Sequence, residues 1–197
     1  MTENEPQIPE LSLFPLRKSL AEAVLVNFDQ EAKTGKEGFN FVFIERIRIE
    51  EDKNSELREF IELESKKHNE FIRDYKEGAF LMYKLLKEQT LKFGHAMPKV
   101  SHDLVSAYRI DQFNDFQKGK KYNGLVQDRF EALKEEDIAA YYFIDSISKY
   151  RMAKNDVRAG ALLVYTLIKR SEENRLLEKT FYGQNTNGEI PAAEKLD

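Results

Sequence analysis

Leu16, Leu20, Ala23, Val24 and Phe28 recur at three- and four-residue steps, the spacing that gathers side chains on one face of an α-helix. Pro15 fits the first position of that helix, where a missing N–H costs nothing, and Gly35 fits its stop. A second stripe joins Leu57, Phe60, Ile61, Phe71, Ile72 and Tyr75, and a third helix is predicted from about Asp74 to Phe93, ended by Gly94 and Pro98. Ser101 is placed to cap a fourth helix carrying Leu104, Val105, Tyr108 and Phe116. Gly119 and Gly124 interrupt the chain again. Ala140, Phe143, Ile144 and Ile147 mark a further helix, and Asn155 or Asp156 caps a last one ending near Phe181. Residues 39–50 carry two periods at once. Alternate residues from Phe39 to Ile49 are apolar in all but one case, as in a strand, whereas Phe39, Val42, Phe43 and Ile47 share a helical face. A lone strand would leave its backbone groups unpaired, so helix is the reading taken.

Residues 74–88 and 156–170 align without a gap at an offset of 82, with identities at Asp74/Asp156, Gly78/Gly160, Ala79/Ala161, Leu81/Leu163, Tyr83/Tyr165, Leu85/Leu167 and Lys87/Lys169. The stretch from Ala159 to Ile168 is apolar all round, so it is expected to be buried on every side. A glycine inside such a helix costs about 1 kcal/mol relative to alanine, and close helix crossing is the simplest reason to keep Gly78 and Gly160. The expected fold is therefore all-α. It is a compact bundle of about six to seven helices, built as two similar three-helix halves, 13–94 and 98–181, around a pseudo-twofold axis. Residues 1–12 and 183–197, rich in turn formers and charges, are expected to be tails outside the single domain 13–182.

Composition narrows the function. The 197 residues include no cysteine, which removes disulfides, thiolate zinc sites and cysteine nucleophiles. A net charge of −4 gives no general attraction to polyanions. The first ten residues carry three acids and no basic stretch, unlike a secretory signal, and the longest uncharged run is half of what a membrane span needs. A cytoplasmic protein is expected, without membrane contact.

Three groups of residues suggest chemistry. Glu64 and His68 stand four apart on one predicted helix face and, joined by His102 and Asp103, have donors suited to a divalent metal. The His102-Asp103 dipeptide also resembles the HD metal-dependent phosphohydrolases, which are all-helical. That resemblance implies a metal-dependent hydrolase with His68 or His95, and Asp145 or Asp156, as the remaining ligands. The surrounding PKVSHDLVSAY lacks the apolar lead-in and the following glycine of that family. Second, Lys118, Lys120, Lys121 and Tyr122 form a small basic patch beside Gly119, with Lys36 beside Gly35 as a poorer copy, suited to phosphate or nucleic acid. Neither loop has the Gly-Lys-Ser/Thr ending of a nucleotide-binding loop. Third, Tyr141, Tyr142 and Phe143 cannot all face one core. With Phe39, Phe41 and Phe43 they are the interface candidates. No glycine-flanked serine or credible triad is present. The expectation is a non-catalytic interaction or regulatory module, working as a homodimer or with another protein, and needing no cofactor. A metal-dependent hydrolase and a nucleic-acid binder are the alternatives.

Overall fold

The computed structural model describes residues 12–33 and 39–185, with side chains over 12–30 and 44–180. These residues form an all-helical bundle without a strand. In chain order the helices are α1 Lys18–Lys33, α2 Phe39–Glu51, α3 Ser55–Ser65, α4 Ile72–Lys92, α5 His102–Gln117, α6 Tyr122–Glu136, α7 Ile138–Ser148 and α8 Lys154–Asn185, with a 3-10 turn, Lys66–Phe71, between α3 and α4. Residues 39–50 are thus helical, and there are more helices than the six or seven expected, four in each of the segments read as halves. The stripe from Leu57 to Tyr75 is not one helix. Asn69 adopts φ 48°, and the chain turns there before α4 begins. Asparagine tolerates that left-handed region better than most residues.

Several local expectations hold, and several are corrected. Ser101 caps α5, its hydroxyl accepting from Leu104 N at 3.3 Å. Gly94 and Gly119 take positive φ, the conformation that follows a helix end. Pro15 does not open α1. It stands three residues ahead in a non-helical lead-in, because Gln89 accepts from Arg17 N and donates to the carbonyls of Leu13 and Pro15, holding the chain out of the helix. Gly124 does not interrupt the chain but lies in the first turn of α6. Asp156 is not a cap; it is the acid of the first turn of α8. α8 also runs on to Asn185 rather than stopping near Phe181.

Two rods form the centre. Every residue from 77 to 86 in α4 and from 157 to 165 in α8 is buried. They cross at the two glycines. A Cβ on Gly78 would stand 1.9 Å from the carbonyl oxygen of Val157, and one on Gly160 would stand 2.0 Å from that of Tyr75. Tyr75 and Val157 themselves differ by 82 in number, so the crossing contact is reciprocal: each glycine meets the counterpart of the other's neighbour.

Similar contacts recur outside the crossing, though not all at the offset of 82. Tyr83 donates to Asp52 at 2.6 Å and Tyr165 to Asp137 at 3.0 Å. Gln89 holds the lead-in to α1, and Ser171 donates to Lys99 O at 2.6 Å in the lead-in to α5. Buried Asn54 bonds Pro98 O and Val100 N, both at 2.9 Å, while buried Asp137 accepts from Leu16 N at 2.9 Å. The residue at the head of α3 thus pins the lead-in to α5, and the residue at the head of α7 pins the lead-in to α1.

Candidate functional site

Where the 3-10 turn meets α4, α5, α6 and α8, the packing leaves a pocket. Its open part, about 290 Å³, is lined by Glu64, His68, Gln112, Phe116, Tyr122 and Asp156 among others. Adjoining it is a smaller space of about 30 Å³ reaching Tyr75, Tyr108, Leu125 and Arg129, room for a water or two.

Each polar wall has a structural reason to be where it is. The turn at Asn69 swings His68 toward the start of α8. His68 Nδ1 stands 2.6 Å from Asp156 Oδ1, and Nε2 stands 3.3 Å from the Tyr122 hydroxyl. A carboxylate only accepts, so Nδ1 carries a proton; the Tyr122 hydroxyl donates to Nε2 when the ring is neutral and accepts from it when the ring is protonated. The imidazole also lies against Tyr75, with centroids 4.2 Å apart, and edge-on to Tyr122 at 5.3 Å. Glu64, at the end of α3, is 5% exposed. Its Oε1 is 2.6 Å from Lys67 Nζ, and its second oxygen accepts no hydrogen bond from a described residue. Arg129 on α6 reaches Tyr108 Oη at 3.2 Å and Asp115 at 3.3 Å.

Burial pushes the Tyr75, Tyr108 and Tyr122 phenols above their ordinary range; Glu64 adds to this at all three and Asp156 at Tyr122, while Arg129 pulls Tyr108 back. Burial and their partner carboxylates do the same to Tyr83 and Tyr165. A phenol whose pKa is raised on folding contributes stability that is intact below its unfolded value, about 10, and lost as pH climbs beyond it. The protein is therefore expected to unfold steeply above pH 10. In a titration followed by phenolate absorbance these five tyrosines should ionise together with unfolding, not before it. Smooth ionisation of all nine tyrosines in a still-helical protein would contradict this.

The sequence-predicted site residues divide. Glu64 and His68 do share one pocket, and Asp156 joins them. His102 lies with Glu56, 3.7 Å away at the opposite end of α3, a helix about 16 Å long. Its side chain is 75% exposed, and neighbouring Asp103 is exposed too. The four residues expected to share a metal are therefore not brought together. Among the described residues no three histidine or acidic side chains converge as a metal site needs. Tyr122 faces His68 rather than forming a basic patch. Lys118 and Lys121 are exposed, and Lys120 reaches Asp128 at 3.5 Å. Lys36 and the side chains of Phe39, Phe41 and Phe43 lie outside the described residues. Phe143 is buried, Tyr141 stacks on Phe130 at 4.5 Å, and Tyr142 is 38% exposed.

Sequence reasoning missed Tyr75, Tyr108, Gln112 and Arg129 as site residues. The available signal was a tyrosine in the middle of an otherwise apolar face at 75 and at 108. Comparison with protein families, characterised proteins and solved structures found no match to this chain. No helix among the described residues is long and apolar enough to cross a membrane.

Proposed function

We propose that this protein is a non-catalytic helical interaction module, and that it pairs with a second copy of itself through α5. The observation that carries this reading is the outer side of α5. Ile110, Phe113 and Phe116 are 59, 60 and 45% exposed, whereas only Val105 and Tyr108 of that helix are buried. Steps of three place the exposed trio on an arc about 120° wide, beginning at the pocket rim with Phe116. Apolar groups gathered on one exposed face, rather than scattered singly, mark interaction sites.

The stripe is self-complementary. A twofold axis through Phe113 sets Ile110 of one copy on Phe116 of the other. The acids flanking it are already neutralised within the chain, Asp111 by Arg170 at 2.8 Å and Asp115 by Arg129, so two copies do not meet as like charges. A binding role also suits the pocket: the chain of hydrogen bonds from Asp156 through His68 ends at Tyr122, with no serine or threonine hydroxyl among the lining residues. The same reading includes an internally duplicated chain, supported by the seven identities at one offset and by the reciprocal contacts of the central rods. It also includes a cytoplasmic location, supported by the cysteine-free composition.

Sedimentation velocity tests the pairing. The wild-type protein is expected to dimerise at micromolar concentration, and Phe113→Asp to weaken the dimer more than about tenfold, as loss of a central apolar contact does. Because Phe113 is a surface residue, its replacement should leave folding stability within about 0.5 kcal/mol. A monomeric wild-type protein removes the self-pairing.

A further inference from the structure

The pocket beside α5 supports an inference of its own. We infer that it is a receptor for an organic cation of the alkylammonium class, such as a lysine side chain or a small primary or methylated amine. Glu64 would take the charge, and the rings of Tyr122 and Phe116 the alkyl part.

The Glu64 carboxylate is the starting point. A carboxylate with a 6% exposed side chain needs a cation, since burial without one is costly. The cation it has is Lys67, on a side chain that is itself 61% exposed. Such a lysine holds its partner weakly, because the pair is open to water and a flexible chain must be ordered to make it. Lys67 is therefore a resident ammonium that an incoming one can replace, and the second Glu64 oxygen is still open to a donor.

The other basic side chain deep in the pocket is already committed: Arg129 is held by Asp115 and Tyr108. An anion entering here would meet only Lys67, already paired with Glu64, and would face the Glu64 carboxylate. Aromatic rings attract cations through their quadrupole, and the open part of this pocket has two, Tyr122 and Phe116, besides the imidazole of His68. At about 290 Å³ the open part lies just under the usual range for drug-sized ligands, so it suits one small head group rather than a nucleotide.

At the offset of 82, the positions matching Glu64, His68, Tyr75 and Tyr108 hold Ser146, Tyr150, Val157 and Val26, so the carboxylate and the imidazole are not repeated in the other half.

The test uses the full chain and n-butylammonium, with tetramethylammonium as the methylated probe and butyrate and inorganic phosphate as anionic probes, followed by tyrosine fluorescence and calorimetry. Saturable butylammonium binding is expected in the millimolar range, with neither anion binding. Glu64→Gln should weaken it by about tenfold or more, the loss of a charge-assisted contact. Lys67→Ala, at an exposed residue, should strengthen it between about two- and fivefold by removing the competitor. No saturable binding by the folded Lys67→Ala protein overturns the proposal. So does butyrate binding better than butylammonium, or binding indifferent to Glu64→Gln in a variant with wild-type helicity. Phe113→Asp should bind butylammonium as the wild type does, so failure of self-pairing and failure of cation binding are read separately.

Discussion

Gly160→Ala is expected to destabilise the fold by at least about 3 kcal/mol, the upper end of ordinary overpacking penalties. The reason is the identity of the obstructing atom. The new methyl would stand 2.0 Å from the Tyr75 carbonyl oxygen and 3.0 Å from Ala79 N, both main-chain atoms of a buried helix. A side chain can rotate away; a helix backbone can only move as a body, and α4 and α8 are packed against their neighbours over their whole central length. Gly78→Ala should do the same through the Val157 carbonyl, 1.9 Å from its Cβ. Working against both is the roughly 1 kcal/mol that alanine gains over glycine inside a helix, which here is far from enough. The double variant should cost less than the sum of the two, because one methyl already forces the rods apart and the second then enters a gap. Gly124→Ala is the internal control. Its Cβ meets nothing within 4 Å, so it should gain between about 0.4 and 1 kcal/mol. Thermal melts followed by circular dichroism read all four. The two crossing variants should fall by roughly 10 °C or more while Gly124→Ala rises slightly. Equal melting temperatures for Gly160→Ala and wild type would mean that the rods do not meet at this distance.

Asp137→Ala is expected to cost about 3–5 kcal/mol, for a different reason. The Asp137 carboxylate is 2% exposed and accepts three hydrogen bonds. Ala140 N, at 3.0 Å, is the cap of α7; Leu16 N lies at 2.9 Å in the lead-in to α1; the Tyr165 hydroxyl lies at 3.0 Å on α8. Loss of a helix cap alone costs about 1 kcal/mol. Each buried donor left without an acceptor adds about 1–3 kcal/mol. Asp137→Asn keeps an oxygen for the cap but turns an amide toward two donors, so it should cost less than alanine and still more than 1 kcal/mol. Removing the Tyr165 hydroxyl as well relieves one of those unsatisfied donors. Tyr165→Phe should therefore cost less in the Asp137→Asn background than in the wild type, a coupling that chemical denaturation of the four proteins measures. Additive effects would mean that the carboxylate and the phenol do not share a bond.

The two results together would separate what is local in this protein from what is not. Period, caps and stops are local properties, and they were readable. The helical periods of α1, α4 and α5, the cap at Ser101, the stops at Gly94 and Gly119 and the burial of Ala159 to Val164 follow from residues a few positions apart, although Ala23 and Phe116, read into the faces of α1 and α5, are exposed. Even the crossing point was visible, since a glycine kept inside an all-apolar helix points to a neighbour too close for a methyl group. Part of the pocket was visible as well, because Glu64 and His68 are close in sequence.

Only the tertiary structure decided the rest. Asp156, Tyr108, Tyr122 and Arg129 come to His68 and Glu64 from three helices, at sequence distances that no periodicity spans. The opposite outcome for His102 has the same cause. It is near Glu64 on no helix, and the length of α3 holds it at the far end. Pro15 and Gln89, 74 residues apart, show the limit at the scale of one bond. A proline suited to begin a helix is kept out of it by a glutamine whose position depends on how α4 packs. Local free energies write the list of helices, whereas the junctions between them, and the pocket left at one of them, depend on main-chain atoms meeting across the whole molecule.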